Sequence, residues 1–295
     1  MRNLLLLYIL LLLKCDFASS QPEFELSRNI YRVPYASGIE VRVNRDHYTH
    51  SPARGRYDLK GFGNGGDCET NYPIVAAAEG VIRRIVDNHD VHGPDCTSNC
   101  SDFNNYVWIE HANGEWSKYT HFKKNSVTGN AGLNVGDTVC AGKFLGYECD
   151  IGQASGAHLH FEVRRPNDPN NVQISVAGGF MSDALHYIPV INSTTKHYFE
   201  DSDEWTASGS SSCTTSSFAF VFAFTVTNGQ MSIVMASNSI STQANTAVSF
   251  ANGSNGMMHA GNVVTLTPGF TASAGSYFHA RIGSCATTDL PGNCQ

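Results

Sequence analysis

The residues best equipped for chemistry in this 295-residue chain are His158 and His160, separated by Leu159. On a strand, side chains at i and i+2 share a face, so the two imidazoles converge on one side and Leu159 turns to the other. Two imidazoles one strand repeat apart can serve a metal ion and the water it activates. Phe161-Glu162-Val163, which follows, has strand composition. His121, His50 and Asp58 are read together with the pair. A hydrolytic zinc site needs three protein ligands and an open position for water, whose pKa the metal lowers towards ~7. Further histidines can then move protons or stabilise a developing oxyanion. The helical His-Glu-x-x-His device is absent, so a zinc site here must be built on strands. Glu162 shares the face of His158 and His160 on a regular strand, either as a partner to a ligand or as an exposed carboxylate.

The elements around these residues read as short strands cut by Gly, Asn and Asp turns over residues 47–165. Strands are expected at 74–78, 80–86, 106–110, 116–121, 138–140, 144–148 and 158–163, with 39–43 strand-like before them. Asn113-Gly114 lies between two of these runs and predicts a hairpin. No amphipathic helical period appears here, and many short strands with regular turns imply an all-β domain. Residues 166–197 read as a loop-rich tail of that domain.

Composition supports a folded, exported chain. At 41% hydrophobic it can bury a core, and a net charge of −7 argues against non-specific nucleic-acid binding while leaving room for a locally basic cleft. Arg2, the apolar run 4–13 and Ala18-Ser19-Ser20 predict a secretory signal peptide over 1–20, with no transmembrane segment in the mature chain. Of the nine cysteines, Cys15 leaves with the signal, and the remaining eight suggest disulfides. Cys140 with Cys149 is the favoured pair; Cys68 with Cys96 or Cys100, and Cys285 with Cys213 or Cys294, are the other candidates.

Three blocks now resemble a known family. They are Tyr119-Thr120-His121-Phe122, residues 136–163 ending in His158-Leu159-His160-Phe161-Glu162-Val163, and the stretch Pro73-Ile74-Val75-Ala76-Ala77-Ala78-Glu79-Gly80. Their types and order resemble the lysostaphin/LytM-type zinc endopeptidases of peptidoglycan, over residues 45–165. The resemblance implies that His160 and Asp58 are zinc ligands and that His121 and His158 are the catalytic histidines, one a general base and the other a stabiliser of the tetrahedral intermediate. The family's usual first ligand lies four residues before the aspartate, where this chain has Arg54. A longer-spaced form of the motif fits His50, with residues 51–57 looping out, and His47 is the rival. The implied function is a secreted Zn2+-dependent metalloendopeptidase cutting stem or cross-bridge peptides of peptidoglycan. The alternative is an inactive wall- or partner-binding domain of the same fold. His89, His92, His111, His186, His197, His259 and His279 carry no motif and read as solvated or structural.

The remainder is organised around this domain. Residues 21–45 form a lead-in, 46–197 the endopeptidase-like domain, 198–217 an acidic then Ser/Thr-rich linker, and 218–295 an all-β accessory domain. Residues 218–284 hold a single charged side chain, Arg281, and strand-like runs beginning at Ala247, Val263 and Tyr277 recur every 14 to 16 residues. That pattern suggests stacked, solenoid-like β rungs. A stretch around Leu266-Thr267-Pro268-Gly269-Phe270 resembles repeats near the ends of exported bacterial proteins, which implies attachment to a surface or polymer, or a passive spacer. The fold class is therefore all-β: an antiparallel metalloendopeptidase sheet followed by a small β-repeat domain.

Overall fold

The computed structural model describes residues 25–51, 55–62, 68–191, 198–207, 217–220, 223–227, 231–236, 238–252, 254–260 and 262–282. The expected signal peptide, Arg54, and the cysteines Cys15, Cys213, Cys285 and Cys294 lie outside these residues. Among the described residues no helix is long and apolar enough to cross a membrane.

Twelve strands build the first unit: β1 (Glu25–Tyr31), β2 (Glu40–Arg45), β3 (Arg56–Phe62), β4 (Pro73–Val75), β5 (Gly80–Val86), β6 (Tyr106–Glu110), β7 (Trp116–Thr120), β8 (Thr138–Val139), β9 (Phe144–Tyr147), β10 (Leu159–Pro166), β11 (Ala184–Ile191) and β12 (Glu204–Thr206). Ten of them form one sheet in the order β12-β2-β3-β10-β7-β6-β5-β8, with β11 pairing β10 and β1, while β4 and β9 form a separate pair. The β6–β7 hairpin turns at Asn113-Gly114, where Gly114 adopts φ +81° and its amide reaches the His111 carbonyl at 2.9 Å. A positive φ is open to glycine without the Cβ clash that other residues meet.

The central strands are amphipathic. Leu159, Phe161 and Val163 of β10, Tyr57 and Leu59 of β3, and Tyr119 of β7 are buried in one apolar core. Each such side chain contributes roughly 1.5–3 kcal/mol of burial. Alternation then forces His160, Glu162 and Arg164 of β10, Arg56 and Asp58 of β3, and Lys118 and Thr120 of β7 onto the opposite face.

Several expectations are corrected. The lead-in is part of the sheet: β1 runs parallel to β11, and β2 lies antiparallel to β3. The loop-rich tail contains β11, an eight-residue strand on β10. Pro189 disguises that strand, since proline cannot donate to a ladder. The β1–β11 register is irregular around that position, between Leu26 and Ile30. The linker is folded as far as it is described, with β12 on β2 and Phe199 fully buried. Phe199 packs on Trp205 and Tyr57 at 4.5 and 5.3 Å between ring centroids, so two aromatics outweigh the acidic composition. Arg56 and Tyr57, placed in an outlooping insert, are paired with Glu162 and Phe161. Strand β7 stops at Thr120, and His121 leaves it with φ +73°.

The disulfides also differ. Cys149 pairs with Cys68, not Cys140, and Cys96 pairs with Cys100. Cys140 is disulfide-bonded as well. Cys149 sits between the histidine-bearing segments, and its partner arrives from the start of the 68–72 turn, a relation invisible in spacing along the chain.

The second unit consists of three parallel, three-stranded sheets. They are β13 (Ser217–Phe220), β16 (Ser239–Thr242) and β19 (Val263–Thr265); β14 (Phe224–Val226), β17 (Val248–Phe250) and β20 (Phe270–Ala272); and β15 (Met231–Ala236), β18 (Asn255–Ala260) and β21 (Tyr277–Ile282). Phe224, Val248 and Phe270 stand in register, so the true repeat is 24 and then 22 residues. The expected 14 to 16 residues connected runs belonging to three different sheets. Phe220, Ile240, Val248, Phe250 and Met258 form its core. Aligned side chains bond from one rung to the next, as Thr225 of β14 with Ser249 of β17 at 2.9 Å, and Asn262 with Asn238, each just before its strand, at 2.6 Å.

Candidate active site

The register of β3, β10 and β7 assembles the site. His160 pairs with Asp58 on one side and Thr120 on the other, and Glu162 pairs with Arg56 and Lys118 in the next row. His50 comes from the turn after β2, where its amide bonds the Asp46 carbonyl at 2.9 Å. Its Nε2 lies 3.4 Å from Asp58 Oδ1 and 3.2 Å from His160 Nδ1, and the latter two atoms are 3.2 Å apart. Donor atoms of a tetrahedral zinc ion, each ~2.0–2.1 Å from the metal, stand about 3.3 Å from one another. Two imidazoles and a carboxylate at these separations are a donor set that can hold a metal ion.

His47 takes no part in this group. It is buried, packs on Tyr48 at 4.1 Å, and has Nδ1 3.2 Å from the Tyr57 hydroxyl. Burial pushes its imidazole down from the usual range.

The other two histidines flank the group. The ring centroids of His121 and His158 are 4.6 Å apart, and His121 lies 6.2 Å from His160. His121 Nδ1 is 2.7 Å from the Ile151 carbonyl oxygen. A carbonyl only accepts, so Nδ1 carries the proton and Nε2 keeps its lone pair. His158 repeats the arrangement, with Nδ1 donating to the Gly156 carbonyl at 2.8 Å and Nε2 3.5 Å from Asp58 Oδ1. The left-handed backbone of His121 is held by its amide on the Asn105 carbonyl and its carbonyl under the Cys149 amide. Such strain persists where surrounding bonds over-determine the conformation.

Electrostatics follow from burial and neighbours. Burial, then the adjacent His158 and His160, push His121 well below the ordinary imidazole value, which keeps it neutral. Burial opposes the charged form of Asp58, but hydrogen bonds with His158, His160 and His50 outweigh it and hold the carboxyl far below the carboxylate range. Burial also opposes a charged His158, and Asp58 more than offsets this, raising its pKa. Glu162 is fully buried, yet the Arg164 and Lys118 charges hold it ionised. Its Oε1 is 3.8 Å from His160 Nε2, on the side of the ring away from Asp58.

These residues line a cleft of about 940 Å³. One wall comes from Gly93, Pro94 and Cys100, a loop closed by the Cys96–Cys100 disulfide. Another comes from Ser175, Ala177 and Gly179, fixed by Trp108 Nε1 on the Gly178 carbonyl at 2.9 Å. A second cluster of ligand-type residues, Cys68, His92, Cys149 and Asp150, has its two sulfurs joined in the disulfide. His92, read as solvated or structural, bonds Asp150 there at 2.5 Å. His111 is structural, with its ring held between the Glu79 carbonyl and Ser117. Sequence reasoning did not single out Arg56, Lys118, Thr120 or Arg164. The even spacing of Arg56 from Asp58 and of Arg164 from His160 was a signal, but the register that gathers all four was not readable.

The fold sets two imidazoles and a carboxylate, a donor set that could hold a metal ion, in a cleft on the face of a β-sheet. Residues 62–173 match the sequence profile of Peptidase family M23. The match spans His121, His158 and His160 and begins after His50 and Asp58. A peptidoglycan DD-endopeptidase, ShyC, of Vibrio cholerae serotype O1 (strain ATCC 39315 / El Tor Inaba N16961) is 32% identical over 91 residues, 30% of this chain and 17% of the relative. The chain thus aligns with under a fifth of that curated relative. Among solved structures, the M23 metalloprotease pseudoalterin from the deep sea is 19% identical, covering 59% of this chain and 87% of its own, with a TM-score of 0.35. The catalytic domain of lysostaphin from Staphylococcus simulans is 20% identical, covering 49% and 85%, with a TM-score of 0.27. A zinc-containing peptidase from Vibrio cholerae is 17% identical, covering 48% and 35%, also with a TM-score of 0.27.

Proposed function

We propose that this protein is an extracytoplasmic zinc metalloendopeptidase that hydrolyses peptide bonds in peptidoglycan. The observation that carries the reading is the triangle of His50 Nε2, Asp58 Oδ1 and His160 Nδ1, with sides of 3.2 to 3.4 Å, flanked by two imidazoles. The family match and the endopeptidase relative support the reaction class and the substrate. The expected signal peptide supports export.

Zinc bound to the triangle supplies a Lewis acid and a water of lowered pKa. The remaining work belongs to side chains. Glu162 orients the His160 ring through Nε2, so that Nδ1 faces Asp58. His121, neutral and with Nδ1–H fixed on Ile151, accepts a proton at Nε2 from the attacking water. His158, whose Nε2 lies beside Asp58, donates a hydrogen bond from that atom to the oxyanion developing on the substrate carbonyl. The proton held at His121 Nε2 then passes to the leaving amine.

The purified protein is expected to clear a bacterial cell-wall suspension, to stop when a chelator removes zinc, and to resume on zinc addition. A protein that cannot be loaded with zinc overturns the enzyme reading. Wall binding without release of peptides supports the inactive binding domain instead.

A further inference from the structure

Four side chains of ligand type meet outside the donor triangle. They are Cys68, His92, Cys149 and Asp150, and one donor atom from each lies within 4.8 Å of the others. His92 Nδ1 is 2.5 Å from Asp150 Oδ1, and Cys149 Sγ lies 3.4 Å from the same oxygen. Two sulfurs, an imidazole and a carboxylate are donors that a four-coordinate zinc ion takes, at mutual separations of about 3.3 to 3.8 Å. The Cys68–Cys149 bond now occupies the two sulfurs.

Bonds other than the disulfide also hold the four positions. His92 forms a bridge with Ile151, the Gly93 amide reaches the Asp150 carbonyl at 2.8 Å, and the Gly152 amide reaches the Val91 carbonyl at 2.9 Å. The two segments touch backbone to backbone: a Cβ on Gly93 would stand 1.8 Å from the Ala154 carbonyl oxygen. Cys149 is fixed on both sides, by the His121 carbonyl and the His158 amide. The Cys68 carbonyl accepts from Lys123 Nζ at 3.4 Å, and the same ammonium bonds Asn71 Oδ1 at 3.0 Å.

The cluster is reachable from solvent, with the His92 side chain 40% and Asp150 15% exposed. Its charge also suits a cation. Two thiolates and the Asp150 carboxylate carry three negative charges, a divalent ion offsets two, and Lys123 stands beside Cys68 with a further positive charge. Thiolate ligands select zinc over the hard divalent ions. We propose that the Cys68–Cys149 disulfide is exchangeable for a metal ion: opened by a dithiol, its two sulfurs join His92 and Asp150 in a second zinc site. The dithiol loses two electrons and two protons and closes to its own disulfide. Cys68 and Cys149 each gain one electron and one proton, and zinc binding releases those two protons to water. The metal then cross-links the same two segments that the disulfide joins, so the anchor behind His121 and His158 survives reduction.

Cobalt provides the test, because it fills zinc sites and gives a charge-transfer band with thiolate ligands. The full chain is reduced with a dithiol, freed of it under anaerobic conditions and titrated with Co2+ beside the oxidised protein. Reduction is expected to add one cobalt per chain together with the thiolate band, and Zn2+ should bleach the band. Cys68→Ser should lose it. His92→Ala, which keeps both cysteines, should weaken the added site roughly tenfold or more, no less than the loss of a partner behind a ligand; it decides alone should Cys68→Ser fail to fold. No thiolate band in the reduced protein overturns the site. A band undiminished by these substitutions comes from other cysteines and overturns it too. If reduction unfolds the chain, circular dichroism decides: refolding on Co2+ addition with the band supports the site, and no refolding overturns it. The oxidised protein gives the baseline for metal held by the triangle, so the outcome is independent of the peptidase reading.

Discussion

The backbone amide of Cys149 donates to the carbonyl of His121 at 2.9 Å, and the Cys149 carbonyl accepts from the amide of His158 at 3.2 Å. One residue thus ties together the backbones of the two flanking histidines. Two residues on, the Ile151 carbonyl fixes the His121 ring. The Cys68–Cys149 disulfide anchors this segment from a distance of 81 residues along the chain.

Removing the bond by the double substitution Cys68→Ala with Cys149→Ala should lower stability by about 2–4 kcal/mol, the usual range for a cross-link of this kind. Because Cys149 positions His121 and His158, kcat should fall further than zinc content. Denaturant unfolding, metal analysis and hydrolysis measured on the same preparation check this. Unchanged kcat in a variant of lowered stability contradicts the positioning role.

His50→Ala should lose stoichiometric zinc while keeping its fold, because His50 Nε2 is a corner of the donor triangle. His47→Ala should keep zinc and lose stability by roughly 1–3 kcal/mol, since His47 is a buried ring bonded to Tyr57. Metal analysis on the two purified variants decides between them. The reverse result assigns the first ligand to His47.

Glu162→Gln should weaken zinc affinity by about 10- to 100-fold, the usual effect of losing a carboxylate behind a metal-bound histidine. It should also lower the melting temperature, because Arg164, Lys118 and Arg56 lose their shared counter-charge. Competition with a chelator of known affinity reads the first effect and a thermal melt the second.

Glu148 carries a pH dependence of stability. It is buried, accepts a hydrogen bond from Tyr35 and another from the Gly61 amide at 3.0 Å, and burial pushes its pKa up from 4.5 to about 7. A carboxyl whose folded pKa is raised favours the fold while protonated. Its contribution is therefore complete below pH 4.5 and is lost as pH rises through 7. Relative to wild type, Glu148→Gln should gain on the order of 3 kcal/mol between those limits. Denaturant melts of both proteins at pH 4.5 and 8 check the sign.

Much of the site was legible because its logic is local. His160 lies on β10 and His158 just before it, in a bridge with Cys149, and their convergence followed from the two-residue spacing. The all-β architecture followed from short runs between turn residues, and β5 and β6 fall on their expected residues. What stayed hidden depended on pairing across long separations. Pro189 masked β11, acidic neighbours masked Phe199, and the 24- and 22-residue repeat was obscured because strands of three sheets alternate along the chain. The cationic row around Glu162 was hidden for the same reason. It exists only through the register that sets Arg56 and Lys118 on either side.

The central claim is that the histidine-lined cleft cuts wall peptides with the aid of zinc. Mass spectrometry of defined peptidoglycan fragments, incubated with the zinc-loaded protein and with its His121→Ala variant, tests it most directly. The account predicts new peptide termini with the wild type and at least a hundredfold fewer with a variant that still holds zinc, the usual scale for losing a general base. Intact fragments after incubation with fully zinc-loaded wild type, or equal cleavage by both proteins, would contradict it.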